Sequence, residues 1–164
     1  MQTAEVKRLL LTADRVEIDA LRGSFSDAVM LNDYDRLASL FTPDGALRMP
    51  GVPAELVGQD QIRAFGPNRP ADYLIQTSHP GTVEIHGDTA TGRTHMHELG
   101  RGRDGSSMTN FAIYHDRYER TPDGWRFSER VYEVVYLDTT PLAGSPTARS
   151  SSAPTAGPRT GDPS

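Results

Sequence analysis

Apolar positions fall first at helical spacing and then at strand spacing. Ile18, Leu21, Phe25, Ala28 and Val29 recur every three or four residues and predict an amphipathic helix from about 14 to 31. Asp14 with Glu17 three residues later reads as its capping box, Asp standing in for the usual Ser or Thr. Residues 1–13 ahead of it read as a mobile or loosely helical arm. Asn32-Asp33 ends this helix and opens a short second one with Tyr34, Leu37, Ala38, Leu40 and Phe41 as apolar positions. Thr42-Pro43-Asp44-Gly45 reads as a turn, Ala46–Met49 as a short strand and 50–57 as a Pro- and Gly-rich loop. Gly58–Phe65 predicts a third helix, closed by Gly66-Pro67, with a further loop over Asn68–Asp72.

From there the period changes to two. Tyr73–Ile85 reads as extended, His86-Gly87-Asp88 as a turn, Thr89–Leu99 as a strand, and Gly100–Gly105 as a glycine- and arginine-rich loop. Met108–Leu137 is the densest stretch: two long arms of aromatic and β-branched residues, which suit a pleated half-buried surface, fold about Thr121-Pro122-Asp123-Gly124. Tyr114, Asp116 and Tyr118 share one face of the first arm, and Ile113, His115 and Arg117 the other. From Thr139 onward Pro, Ser, Thr, Ala and Gly replace large apolar residues, which predicts a disordered tail over 139–164. Helices followed by a run of antiparallel strands predict one α+β domain over 14–138, a curved sheet holding the helices in its concave side and enclosing a pocket.

Composition narrows the function. The 164 residues allow one domain with a substantial core. A net charge of −5 with no basic run or basic–aromatic interleave argues against nucleic acid as partner. Cysteine is absent, so thiol nucleophiles and disulfides are excluded. No apolar run approaches a membrane span, and the three leucines after Lys7-Arg8 are too few for a signal peptide. The expectation is a cytoplasmic protein without nucleic-acid or membrane partners.

Candidate chemistry lies on the strands. His95 and His97 form an H-x-H pair, but Glu98 beside them faces the opposite way, so no metal is expected. Thr94, Met96 and Glu98 share the other face; there Glu98 is either a proton-carrying carboxylate in a cavity or the ion-pair partner of Arg101, Arg103 or Arg130. Tyr114 is either a donor to a substrate oxygen or a core aromatic. Tyr118 and Trp125 read as core; Glu129 and Arg130 read as strand-edge charges, with Arg130 a second candidate for a substrate carboxylate. No nucleophile elbow, Walker or dinucleotide-binding pattern is present, and Gly100–Gly105 joins two strands rather than a strand and a helix.

The order of motifs resembles a known family. A helix leading into NDYDRLASLFTPDG, a helix after VGQDQI, then HPGTVEIHGDTATGRTHMHE and YHDRYERTPDGWRFSER are similar to the SnoaL-like group of the nuclear transport factor 2-like superfamily, over about 14–137. The resemblance implies an α+β cone and a cofactor-independent lyase, isomerase or cyclase in specialised metabolism, such as antibiotic biosynthesis. Its substrate would be small, apolar and polyketide-like or steroid-like, and the chain a homo-oligomer, dimer or trimer. A non-catalytic ligand-binding or interaction module of the same fold is the alternative.

By pattern the chain resembles scytalone dehydratases and bile-acid 7α-dehydratases. Their acid–base aspartate and histidine fall here on Met30 and Gln76, a strand tyrosine falls near Met49, a later acidic residue on Glu98, and an active-site asparagine near Tyr114. Asp27, one turn before Met30, and His79, three residues after Gln76, could form a relocated dyad. They could equally be a solvated helix edge and a strand entry. The expected site is therefore Asp27, His79, Glu98 and Tyr114 for catalysis, with Met30, Tyr34, Met49, Gln76, Met96, Asn110 and Arg130 around the substrate.

Overall fold

A computed structural model describes residues 2–51 and 54–147. The first helix, α1 (Gln2–Leu31), buries Ile18, Leu21, Phe25, Ala28 and Val29, the apolar positions that predict it. It begins at Gln2 rather than near 14, and its first turns stand exposed, good helix formers with nothing packed on them. Asn32 ends it in the left-handed region at φ +56°, a conformation asparagine tolerates, and the Asp33 amide bonds back to the Ala28 carbonyl at 2.9 Å. Asp33 then caps α2 (Tyr34–Ser39), accepting from the Arg36 amide at 3.1 Å.

The capping box expected at Asp14 and Glu17 is not one. Both residues lie mid-helix and reach across to the long hairpin. Glu17 accepts from the Trp125 amide at 2.8 Å. Asp14 accepts from Arg120 at 2.7 and 2.9 Å and from the Trp125 indole at 3.1 Å.

Among the described residues the strands form one six-stranded sheet in the order β2-β1-β6-β5-β4-β3, with β1 (Phe41–Met49), β2 (Ala54–Val57), β3 (Ala71–His86), β4 (Thr89–Gly102), β5 (Ser107–Thr121) and β6 (Gly124–Asp138). All neighbours are antiparallel except β1 and β6. The turn expected at 42–45 is absorbed into β1, whose pairing with β6 shifts between Phe41 and Ala46. The stretch 50–57 contains the short edge strand β2. The third helix, α3 (Gln59–Asn68), runs through Gly66-Pro67 instead of stopping there. Gly66 serves packing: a Cβ on it would lie 2.0 Å from the Tyr34 ring.

The predicted hairpin is the long pair β5–β6, turning at Gly124 with φ +98°. Two irregularities in its register matter. Arg117 pairs with Glu129 but Tyr118 with Phe127, leaving Ser128 as an extra residue; Phe111 pairs with Tyr136 but Ala112 with Val134, leaving Val135 extra. Each bulge exchanges the inward and outward faces of β6. Trp125 and Phe127 therefore point inward before Ser128, and Arg130 and Tyr132 after it. The sheet curls around α1, and its concave face carries the core. Residues 139–147 have no regular structure, with Leu142 tied by its amide to Ser107 at 3.1 Å and by its carbonyl to Arg101 at 2.8 Å; the rest of the expected disordered tail, 148–164, lies outside the described residues.

Candidate active site

The register stacks the concave face in rows. Gln76, Glu98 and Asn110 are cross-strand neighbours on β3, β4 and β5. The next row holds Ser78, Met96, Ala112 and Val134; the next Thr94, Tyr114 and Tyr132; the next Gly92, Asp116 and Arg130. Leu137 pairs with Asn110, so Val134 and Leu137 share the inner face by register yet are 44% and 55% exposed. Met49 and Leu74, partly buried, pack on the same core. Exposed apolar side chains thus stand in the same and the next row as the polar Gln76, Glu98 and Asn110.

Two polar groups occupy the concave floor. In the first, Glu98 is buried and accepts from the Gln76 amide nitrogen and the Tyr132 hydroxyl, while Asn110 donates to the Tyr132 oxygen at 2.8 Å. Of the readings open for Glu98, the ion pair is the one that fails: Arg101 and Arg103 donate to backbone carbonyls and Arg130 to Asp116. Among the described residues no cation pairs with Glu98. Tyr114 is buried beside the Gln76 amide. Burial first, and the Glu98 charge second, push the Tyr114 and Tyr132 phenols far above their ordinary range, so both stay protonated donors.

In the second group Arg130, 0% exposed, gives two hydrogen bonds to Asp116, at 2.7 and 3.2 Å. Asp116 also accepts from Thr94 at 2.8 Å and Tyr118 at 2.7 Å, and Arg22 donates to the Tyr118 oxygen at 2.7 Å. The guanidinium lies 3.9 Å over the Tyr114 ring, 4.1 Å from Phe127 and 4.3 Å from Phe25. Arg130 is thus no strand-edge charge; the bulge at Ser128 turns it inward. Glu129 stays on the outer face, paired with Arg48 at 2.8 Å and Arg117 at 3.3 Å.

The relocated dyad does not form. Asp27 is 55% exposed on the solvent side of α1 and salt-bridged to Arg36. His79 is exposed on the outer face of β3, opposite His95, and the described residues show no hydrogen bond between it and Asp27. Helical and strand periods bring candidates near each other in sequence, but each of these side chains takes the wrong face. Tyr34 is also misjudged: its ring packs on Gly66 and its hydroxyl donates to Asn32 at 2.9 Å, away from the floor. Met30 sits half-buried near the end of α1, and Met96 is core.

His95, His97 and His115 face outward with His79. His97 stacks on Phe111 at 4.6 Å and His115 pairs with Glu133 at 2.6 Å. Among the described residues no three ligand-type side chains gather as a metal site. An open depression of about 570 Å³ lies along this outer face, lined by Thr82, Glu84, Arg93, His115, Arg117 and Glu129. Several of its charges are already paired with one another or with neighbours, which leaves the concave floor as the candidate site. Asp116, Tyr132 and Arg22 belong to that floor and were missed. Asp116 carried a signal in its alternation with Tyr114; Tyr132 carried none, because the bulge hides its parity.

No curated protein sequence matches the chain. Solved structures do. A nuclear transport factor 2-like protein with a cystatin-like fold from Novosphingobium aromaticivorans is 29% identical, with TM-score 0.71, over 81% of this chain and 89% of that one. Hexachlorocyclohexane dehydrochlorinase (LinA) type 2 is 25% identical, with TM-score 0.75, over 88% and 97%. A scytalone dehydratase-like protein from N. aromaticivorans shares the fold at 15% identity and TM-score 0.68, over 92% and 99%. The SnoaL-like domain profile matches residues 11–131, most of the concave sheet and all of its two polar groups but Tyr132 among them, and the chain belongs to the SnoaL-like domain family.

Proposed function

We propose that the protein is a cofactor-independent lyase or isomerase, working by proton transfer on a small, largely apolar substrate of polyketide-like or steroid-like kind. The observation that carries this reading is Glu98: a buried carboxylate on the concave floor, held by two neutral donors and unpaired with any described cation. A carboxylate so placed has no described cation to neutralise it, and the Gln76 and Tyr132 donors fix both its oxygens. It takes a proton from a carbon beside the substrate's carbonyl. The Tyr114 phenol, kept protonated by burial, donates to the developing oxyanion. The proton on Glu98 then goes to a departing hydroxyl, releasing water, or returns to another carbon and completes an isomerisation. Elimination is the reaction type named for the dehydrochlorinase and dehydratase neighbours.

The test reads proton abstraction without needing the natural substrate. Exchange of the α-protons of 2-tetralone in D₂O, followed by NMR, is expected to run faster with the protein than with buffer. Glu98→Gln should slow it by about 10²-fold or more while the fold is kept. Exchange no faster than buffer, or unchanged in Glu98→Gln, would count against the proposal. A binding module is the second reading, favoured by Met30 and Gln76 standing where the resembling dehydratases carry an acid–base pair.

A further inference from the structure

The chain has five histidines, and the register sets four of them on the outer face of the sheet, away from the floor. His115 is held by Glu133 at 2.6 Å, and His97 lies flat on Phe111 at 4.6 Å. His79 and His95 differ from both. They are cross-strand partners on β3 and β4, both exposed, and the described residues give neither side chain a hydrogen bond or an ion pair. Residues directly opposite on antiparallel strands hold their Cβ atoms about 4.5–5.5 Å apart, closer than the roughly 6.6 Å that separates His95 from His97 along one strand. A bulge pins the pairing: β3 advances three residues between His79 and Thr82 while β4 spans two between Arg93 and His95. Ile75, Thr77 and His79 point outward before it, Thr82 and Glu84 after it. Pro80 has no amide hydrogen for the ladder, and a Cβ on Gly81 would lie 1.7 Å from the Arg93 carbonyl oxygen, so the sequence itself fixes the irregularity.

From this pair we propose a site for one divalent transition-metal ion, held by the His79 and His95 imidazoles on the outer face. Two imidazole nitrogens on one ion stand roughly 3 Å apart, each about 2.0–2.1 Å from it, within reach of exposed rings rooted on opposed Cβ atoms. The donor set decides the metal. Neutral imidazoles suit Cu²⁺, Ni²⁺ and Zn²⁺, with Cu²⁺ the tightest, whereas Mg²⁺ and Ca²⁺ want oxygen ligands. The carboxylate of the same cross-strand row, Glu133, is two strands away and taken by His115. The protein supplies two ligands rather than a closed set: no three ligand-type side chains gather among the described residues, and His97 is turned to Phe111. Water fills the remaining positions. Arg93, two residues from His95 on the same face, adds a positive charge that weakens the site, although exposure lets salt screen it. The proposal is independent of the catalytic reading, since Glu98 lies on the other side of the sheet.

The experiment is a titration of the full, untagged chain with Cu²⁺, read by calorimetry and by electron paramagnetic resonance, with Mg²⁺ as competitor. One Cu²⁺ per chain should bind, its spectrum split by two imidazole nitrogens, and Mg²⁺ should not displace it. That reading uses the unaltered protein and needs no variant to fold. His79→Ala and His95→Ala should each weaken binding by about 10-fold or more, one of two ligands being lost. His97→Ala and His115→Ala should leave it nearly unchanged. No Cu²⁺ binding by the unaltered chain, a spectrum showing a single nitrogen, displacement by Mg²⁺, or equal losses from all four substitutions would each overturn the site. So would binding that persists when His79→Ala and His95→Ala are combined.

Discussion

Replacing Asp116 by Asn tests whether the core depends on its buried ion pair. The change keeps shape and removes one charge. In the native protein Asp116 accepts four hydrogen bonds, two from Arg130 and one each from Thr94 and Tyr118. Asparagine has one oxygen to offer and would turn an amide N–H toward a guanidinium that can only donate. Arg130, 0% exposed, would then hold its charge with no anion beside it. Breaking a buried pair from one side costs about 3–5 kcal/mol. The three rings around the guanidinium give back some of that, so the lower end, about 3 kcal/mol, is expected. In a chain of this length that lowers Tm by about 6–12 °C. In urea the midpoint should fall by about 1–3 M with the slope unchanged. The paired replacement Asp116→Leu with Arg130→Met should be at least about 2 kcal/mol more stable than the sum of its single changes, because it leaves no orphaned charge. A loss below about 1 kcal/mol in Asp116→Asn, or plain additivity in the double variant, would refute the reasoning.

The remaining predictions concern the clamp, the crossing point and the exposed pair. Arg120 holds the Asp14 carboxyl below its ordinary range, with Trp125 assisting against partial burial. A depressed folded-state value means the stabilisation is present above the unfolded value near pH 4 and fades as pH falls through the folded one. Asp14→Asn should therefore cost about 1–2 kcal/mol at pH 7 by denaturant titration and almost nothing in strong acid; an equal cost at both would exclude the ionic clamp. A Cβ on Gly92 would lie 2.2 Å from the Thr82 carbonyl oxygen and 2.5 Å from the Arg22 guanidinium. Gly92→Ala should lose about 1–3 kcal/mol, whereas Gly23→Ala, in α1 with open space around it, should gain about 0.5–1. Asp27→Asn and His79→Ala should each leave stability within about 0.5 kcal/mol and leave tetralone exchange unchanged, both being surface changes; a large loss of exchange in either would put them back in the site.

The parts of the molecule legible in the sequence are those set by local periodicity. The helix through Ile18–Val29, the Asn32-Asp33 junction, the hairpin with its turn at Gly124, and the inward face shared by Tyr114, Asp116 and Tyr118 all follow from spacing and turn chemistry, and the structure has them. The face shared by Thr94, Met96 and Glu98 was legible for the same reason, since β4 alternates without interruption there, but not which side of the sheet it takes. Tertiary structure decided what period alone could not. Two extra residues in β6 exchange its faces, which places Arg130 and Tyr132 in the core, and an interrupted alternation leaves no local trace of which side is buried. Asp14 and Glu17 have capping-box spacing, yet their carboxylates reach a tryptophan and an arginine more than a hundred positions away, contacts that exist only once α1 lies across the hairpin turn. Asp27 and His79 have reasonable sequence offsets but opposite surroundings, because a helix and a strand each send neighbouring residues to different sides. Partner choice among buried polar groups was the last thing fixed. Glu98 takes Gln76 and Tyr132 rather than any arginine because Asp116 already holds Arg130, a competition settled only in three dimensions.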